Sequence, residues 1–169
     1  MKTAIYPGTF DPITYGHIDV LERAMEIFDS IIVTVARNSS KHPLFTDDER
    51  VEMIKKVTRK YGKKVSVDSF HGLLVDYARK KKAVAVVRGL RAVSDFEYEF
   101  QMALTNRKLS RNLMTVFLMP HEQYTYLNSS LVREIAIHGG ALKDFVPRSI
   151  ERRLRKRVQA LKRRKFQVL

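Results

Sequence analysis

The sequence predicts an α/β fold, a doubly wound five-stranded parallel sheet with helices on both faces and a helical extension at the C-terminus. Two observations predict it. Short apolar runs rich in β-branched residues recur at positions 3–6, 31–36, 65–67, 83–87 and 114–119, and the stretches between them carry apolar residues at helical spacing. Strands alternating with helices bury both faces of a sheet, which is the setting in which parallel strands occur. A chain of 169 residues with 44% apolar and 30% charged content has the size and composition of one domain with a full core.

The first run, residues 3–6, leads through Gly8 and Pro12 into a helix expected to open at Gly16 or His17. In that helix Ile18, Leu21, Met25 and Phe28 form one stripe, whereas Asp19, Glu22 and Glu26 face water. After the second run, Thr46-Asp47-Asp48-Glu49 reads as a capping box, a hydroxyl and a carboxylate serving opposite orphan amides at a helix start. Ser94-Asp95-Phe96-Glu97 repeats the pattern after the fourth run. Leu73, Leu74, Met102 and Leu104 are expected in the core. Gly139-Gly140 breaks the chain before a last helix in which Ile150, Leu154, Val158 and Leu161 recur at helical spacing. Residues 1–147 form the core unit, and residues 148–169 a basic helix of the same domain. A strand order of 3-2-1-4-5 would place the ligand crevice beyond the carboxyl ends of the first and fourth strands.

The absence of cysteine excludes disulfides, thiolate nucleophiles and cysteine-ligated zinc, and the five histidines lack metalloprotease spacing. No apolar run approaches membrane-spanning length, and a cytoplasmic protein is expected. The net charge of +14 is unevenly placed: residues 148–169 carry +9 and residues 1–147 carry +5. The basic excess is read first as the solvated face of the last helix. Contact with RNA or an acidic membrane is the alternative, and without an aromatic ladder on that segment nucleic acid is not the expected partner.

The segment with most chemistry is Thr9-Phe10-Asp11-Pro12 followed by Thr14-Tyr15-Gly16-His17. A strand that turns into a helix start is a phosphate site, because the first helical amides lack partners and the dipole favours negative charge there. The pattern is neither the three-glycine dinucleotide fingerprint nor a P-loop, so His17 is the nearest side chain able to aim a hydrogen at a phosphate oxygen. Other strand ends add Arg37 and Lys41, then Arg88 and Arg91, then Ser129 and Ser130. Cations, hydroxyls and amides converging on one edge of a sheet imply a polyphosphate substrate. Internal ion pairing of Arg88 and Arg91 with Asp95, Glu97 or Glu99, and helix capping by Ser129 and Ser130, are the structural alternatives.

Tyr6-Pro7-Gly8-Thr9-Phe10-Asp11-Pro12 with Thr14-x-Gly16-His17, then Lys41-x-Pro43-x-Phe45, then Arg88-Gly89-Leu90-Arg91-Ala92 running into Asp95-Phe96-Glu97-Tyr98-Glu99, closely resembles the bacterial phosphopantetheine adenylyltransferase family. The resemblance runs from residue 3 to about 147. Thr14-x-Gly16-His17 is shared with the wider nucleotidyltransferase superfamily, and the Arg88 to Glu99 stretch selects this member. The resemblance implies a Rossmann-like fold and a homohexamer, a dimer of trimers. The implied reaction is magnesium-dependent transfer of AMP from ATP to 4′-phosphopantetheine. It further implies that His17 stabilises the transition state, with Lys41 and Arg88 beside it as catalytic residues. Thr9, Lys41, Leu74 and Arg88 would hold phosphopantetheine. Thr9, Phe10, His17, Gly89, Leu90, Arg91, Glu99, Tyr124, Thr125, Tyr126, Leu127, Asn128, Ser129 and Ser130 would line the ATP side, and magnesium would ride on the phosphates without a protein cage. Two departures stand out. Asn128 replaces a frequent family serine, leaving its backbone amide as the contact, and the segment after Arg148 carries no family role.

Overall fold

In a computed structural model, the structure describes the backbone of residues 1–36, 43–91 and 93–166, with side chains except those of residues 93, 94 and 164–166. Five strands, β1 (Thr3–Gly8), β2 (Ser30–Ala36), β3 (Val65–Phe70), β4 (Ala85–Gly89) and β5 (Met114–Leu118), form one sheet of order β3-β2-β1-β4-β5. Every neighbouring pair is parallel. Six α-helices complete the described chain: α1 (Tyr15–Ile27), α2 (Asp47–Thr58), α3 (Leu74–Lys80), α4 (Val93–Leu109), α5 (Ser129–Ile137) and α6 (Arg148–Phe166). The order reverses between β1 and β4, so loops diverge there and leave a crevice at the carboxyl ends.

Strand alternation divides the core. Ala4, Tyr6, Val33, Val35, Ala85 and Val87 pack with α1, α2, α5 and α6 on one face, while Ile5, Ile32 and Val86 pack with Val75, Tyr77 and Ala78 of α3 on the other. Ile150, Leu154 and Val158 of α6 are buried in the larger cluster as the spacing predicts, whereas Leu161, the fourth of the stripe, is exposed one turn beyond the core. Burying each such side chain contributes roughly 1.5–3 kcal/mol, so the basic helix is part of the fold.

Several boundaries differ from the sequence expectation. β1 extends to Gly8, two residues beyond the apolar run, because its ladder with β2 continues to the pair Gly8–Val35. α1 opens at Tyr15, since Thr14 rather than Gly16 or His17 ends the extended backbone. The Thr46–Glu49 box forms as expected, with Thr46 N–H donating to Glu49 Oε2 at 2.8 Å. α4 instead opens at Val93, so Ser94 lies inside the helix. Of the expected core leucines and methionine, Leu74 packs against the smaller cluster, but Leu73, Met102 and Leu104 are exposed. Phe96, Tyr98 and Phe100 are exposed with them, because α4 has no described layer over its outer side.

Candidate active site

A cleft of 510 Å³ opens beyond β1 and β4, lined among others by Thr9, Phe10, His17, Arg88, Gly89, Arg91, Glu99, Tyr124, Leu127, Asn128, Ser129 and Ser130. Residues separated by more than a hundred positions therefore converge where the strand order predicts.

Its first wall is the β1–α1 turn. Phe10 adopts a positive φ of 48° and is almost fully buried, packing edge-on against Tyr6 and against the His17 ring at 5.1 Å. Gly8 is required by that arrangement, because a Cβ there would lie 2.8 Å from the Phe10 ring. Thr14 caps α1 and forms with His17 a reciprocal capping box in which histidine takes the usual glutamate's place. The Thr14 backbone N–H donates to His17 Nδ1 at 3.0 Å, and the Thr14 hydroxyl lies 2.9 Å from the same atom. A backbone N–H can only donate, so Nδ1 must be an acceptor and the neutral ring carries its proton on Nε2. Nε2 has no partner among the described residues. Burial, reinforced by the Arg91 guanidinium, lowers the imidazole to about 4. At neutral pH this side chain is an uncharged donor.

Helix starts supply further donors. At α1, the Tyr15 and His17 amides bond to Phe145 O and Thr14 Oγ1, whereas the Gly16 amide has no acceptor among the described residues. At α5 the cap is Asn128, whose Oδ1 accepts from Leu131 N–H at 2.8 Å. The expectation that Ser129 or Ser130 caps α5 is thereby corrected. Ser129 Oγ donates to Pro12 O at 2.8 Å, tying α5 to the first loop. Among the described residues the Ser129 and Ser130 amides, at the cleft, have no acceptor, as anion binding at a helix start requires.

The cleft arginines are each held by a carboxylate. Arg88 makes a forked pair with Glu99 and donates to Pro7 O at 3.0 Å, and Arg91 pairs with Asp95 at 2.9 Å. The internal pairing weighed from the sequence thus forms at both positions. Arg133 pairs with Asp11 at 3.2 Å and donates to Ser130 Oγ at 3.1 Å. Formal charge along this part of the lining is balanced, so among the described residues the open amides and the Nε2 donor are the unmatched positive features.

Arg133 and Asp11 are site residues that the sequence reading missed. The signal for Arg133 was its spacing of three from Ser130 on an amphipathic helix. Asp11 accepts from the Leu44 and Phe45 amides at 2.7 and 3.0 Å, joining positions over thirty residues apart, and no local pattern announces such a bond. Arg50 likewise donates to Thr9 O at 2.6 Å from α2. Lys41 and Arg37 lie outside the described residues. Leu74, Leu90, Thr125 and Tyr126 do not line the cleft: Leu74 packs against the smaller core cluster, the Leu90 amide donates to Leu118 O, the Thr125 hydroxyl donates to Glu122 O, and Tyr126 packs edge-on against Phe145. Among the described residues no group of three or more His, Asp or Glu side chains could hold a metal ion, and no helix is long and apolar enough to cross a membrane.

Fold and cleft together define a class. Residues 5–135 match the cytidylyltransferase-like family model. Two solved structures share the fold: Plasmodium falciparum nicotinic acid mononucleotide adenylyltransferase complexed with NaAD has a TM-score of 0.64 at 15% identity, covering 95% of this chain and 96% of that one. A lipopolysaccharide core biosynthesis protein from Thermoplasma volcanium reaches 0.55 at 22% identity, covering 72% and 98%. Nearer relatives are more particular. The phosphopantetheine adenylyltransferase of Caldanaerobacter subterraneus subsp. tengcongensis is 55% identical over 91% of this chain and 96% of its own length, and that of Thermodesulfovibrio yellowstonii is 56% identical over the same shares. The chain belongs to the phosphopantetheine adenylyltransferase family.

Proposed function

We propose that this chain transfers the adenylyl group of ATP to 4′-phosphopantetheine, forming dephospho-coenzyme A and pyrophosphate. The observation that carries the reading is the Nε2–H of His17, oriented by Thr14 and presented to a cleft that also holds the open amides of α5. A phosphate oxygen of phosphopantetheine attacks the α-phosphorus of ATP. The new P–O bond forms as the bond to the β-bridging oxygen breaks, and that electron pair leaves with pyrophosphate. The attacking phosphate is already ionised, so no side-chain base is required. Negative charge grows on the equatorial α-phosphate oxygens, where a fixed neutral donor holds the transition state more tightly than the ground state. Positioning and charge neutralisation account for the remainder of the rate.

In this reading Thr9, Lys41 and Arg88 bind the acceptor phosphate. Gly89, Arg91, Glu99, Tyr124 and residues 127–130 bind ATP, and the triphosphate takes up the arginine N–H groups that the carboxylates now hold. Magnesium enters as MgATP; the described side chains supply no ligand set of their own, and hard oxygen ligands come from the phosphates. A supply of ATP implies a cytoplasmic location. The exposed apolar side of α4 supports a homo-oligomer, which we infer to be a hexamer built as a dimer of trimers.

Pyrophosphate release, measured with MgATP and MgCTP against 4′-phosphopantetheine, nicotinate mononucleotide and glycerol phosphate, tests the reading. Turnover is expected with MgATP and phosphopantetheine. Preference for another pair would reassign the substrates within the superfamily, and RNA binding that disappears when the exposed Lys162 and Arg163 of α6 are replaced by Gln, without any turnover, would replace the enzyme reading.

A further inference from the structure

α6 runs antiparallel along α2. Arg153 reaches Glu52 at 2.8 Å, and one turn later Arg157 pairs with Glu49, almost one turn earlier on α2. The Arg157 guanidinium also lies over the Phe45 ring, 5.2 Å from its centre. Phe45 is buried, so this cation closes the outer side of the segment that enters α2.

The same segment is gripped from the cleft side. Asp11 accepts from the Leu44 and Phe45 amides, and Glu49 accepts from the Thr46 amide with the carboxylate oxygen that Arg157 does not use. Three consecutive amides are thus held by two carboxylates. One of these, Asp11, faces Arg133 in the cleft and the other faces Arg157 on α6. Pro43, at the start of this segment, lines the cleft itself. A guanidinium suits the outer position because its flat face stacks on an aromatic ring while its N–H groups point sideways to a carboxylate.

We propose that Arg157, although outside the cleft, is a positioning residue for it: through Phe45 and Glu49 it fixes residues 43–46 against Asp11, and so shapes the β2 side of the cleft where the phosphorylated acceptor binds. The choice of substrate rests on the function proposed above. Among the described residues Arg157 contacts Glu49 and Phe45, neither of which is assigned to ATP. A basic C-terminal helix therefore acts on the site by holding one wall.

The test compares wild type, Arg157→Lys and Arg157→Ala in the full chain. KM for phosphopantetheine, KM for MgATP and kcat are measured separately, and amide hydrogen exchange is followed at residues 44–46. In Arg157→Ala the acceptor KM is expected to rise roughly three- to tenfold, the scale of one cation–π contact plus one half-exposed ion pair. KM for MgATP and kcat should stay within about twofold, Arg157→Lys should fall between, and the three amides should exchange faster. Unchanged exchange overturns the proposal, as does faster exchange with an unchanged acceptor KM or an equal rise in both KM values. If wild type turns over no phosphopantetheine, the functional reading fails alone, and the exchange rates still decide whether Arg157 holds the segment.

Discussion

Replacing His17 separates a neutral donor from a charged one. Its imidazole bonds the Thr14 amide through Nδ1 and leaves one N–H, on Nε2, for the substrate. Losing a single donor aimed at developing charge costs about 10²–10³ in kcat, or about 2.7–4 kcal/mol, so His17→Ala should fall by that factor. His17→Gln, which can still present an N–H, should retain more activity. The pH dependence follows from the lowered value of about 4, caused by burial and then by Arg91. In the unfolded chain the imidazole titrates near its usual 6.5, so below that pH the unfolded state binds a proton that the native state refuses. The native protein is unaffected by this group above about pH 6.5 and loses stability as pH falls from there towards 4. The total is on the order of 3 kcal/mol. Urea melts of wild type and His17→Gln at pH 7.5, 6 and 5 measure it: the wild type should lose stability relative to the variant on acidification. Activity should show no ionisation of His17 between pH 6 and 8. A kcat limb near pH 6–7 that vanishes in His17→Gln, or near-normal turnover in a folded His17→Ala protein, would refute the neutral-donor mechanism.

Gly8→Ala should destabilise by about 1–3 kcal/mol, because the added Cβ would lie 2.8 Å from the buried Phe10 ring; kcat should fall with the melting temperature, since the displaced ring touches His17. Asn128→Ala removes the cap of α5 and should cost about 1 kcal/mol in a denaturant melt, with a larger KM for MgATP as the adjoining amides loosen. Asp11→Ala leaves the Leu44 and Phe45 amides and Arg133 without their shared acceptor, and a loss of roughly 3–5 kcal/mol is expected on thermal unfolding. Phe96→Glu with Phe100→Glu on the exposed side of α4 should shift sedimentation towards smaller species, while an unchanged assembly would show that this surface is not the contact.

Much of the architecture could be read along the chain because it depends on local periodicity. Apolar runs of period two and stripes of period three to four located the strands and helices, and a chain alternating between them has few ways to bury both sheet faces. Strand ends were less legible: hydrogen-bond ladders carry β1 to Gly8 past its last apolar residue. The outer side of α4 was misread for a related reason. Met102 and Leu104 there, like Leu73 just before α3, have core chemistry, but burial depends on what covers them, and no described element does.

Within the site, the residues flanking strand ends announced themselves because polar groups at those positions have one direction in which to point. His17, Arg88, Arg91 and Ser129 meet accordingly. The amino-acid order by itself thus determined the elements, their layering and which strand ends bear donors, since each is set by neighbours a few residues away. Only the tertiary structure decided the proton position on His17, the carboxylate partner of each cleft arginine, and the clamp that joins Asp11, Phe45, Glu49 and Arg157. Those depend on hydrogen bonds and ion pairs whose energy varies with distance in space, and the folded chain brings together groups as far apart as Asp11 and Arg133, 122 positions along the sequence.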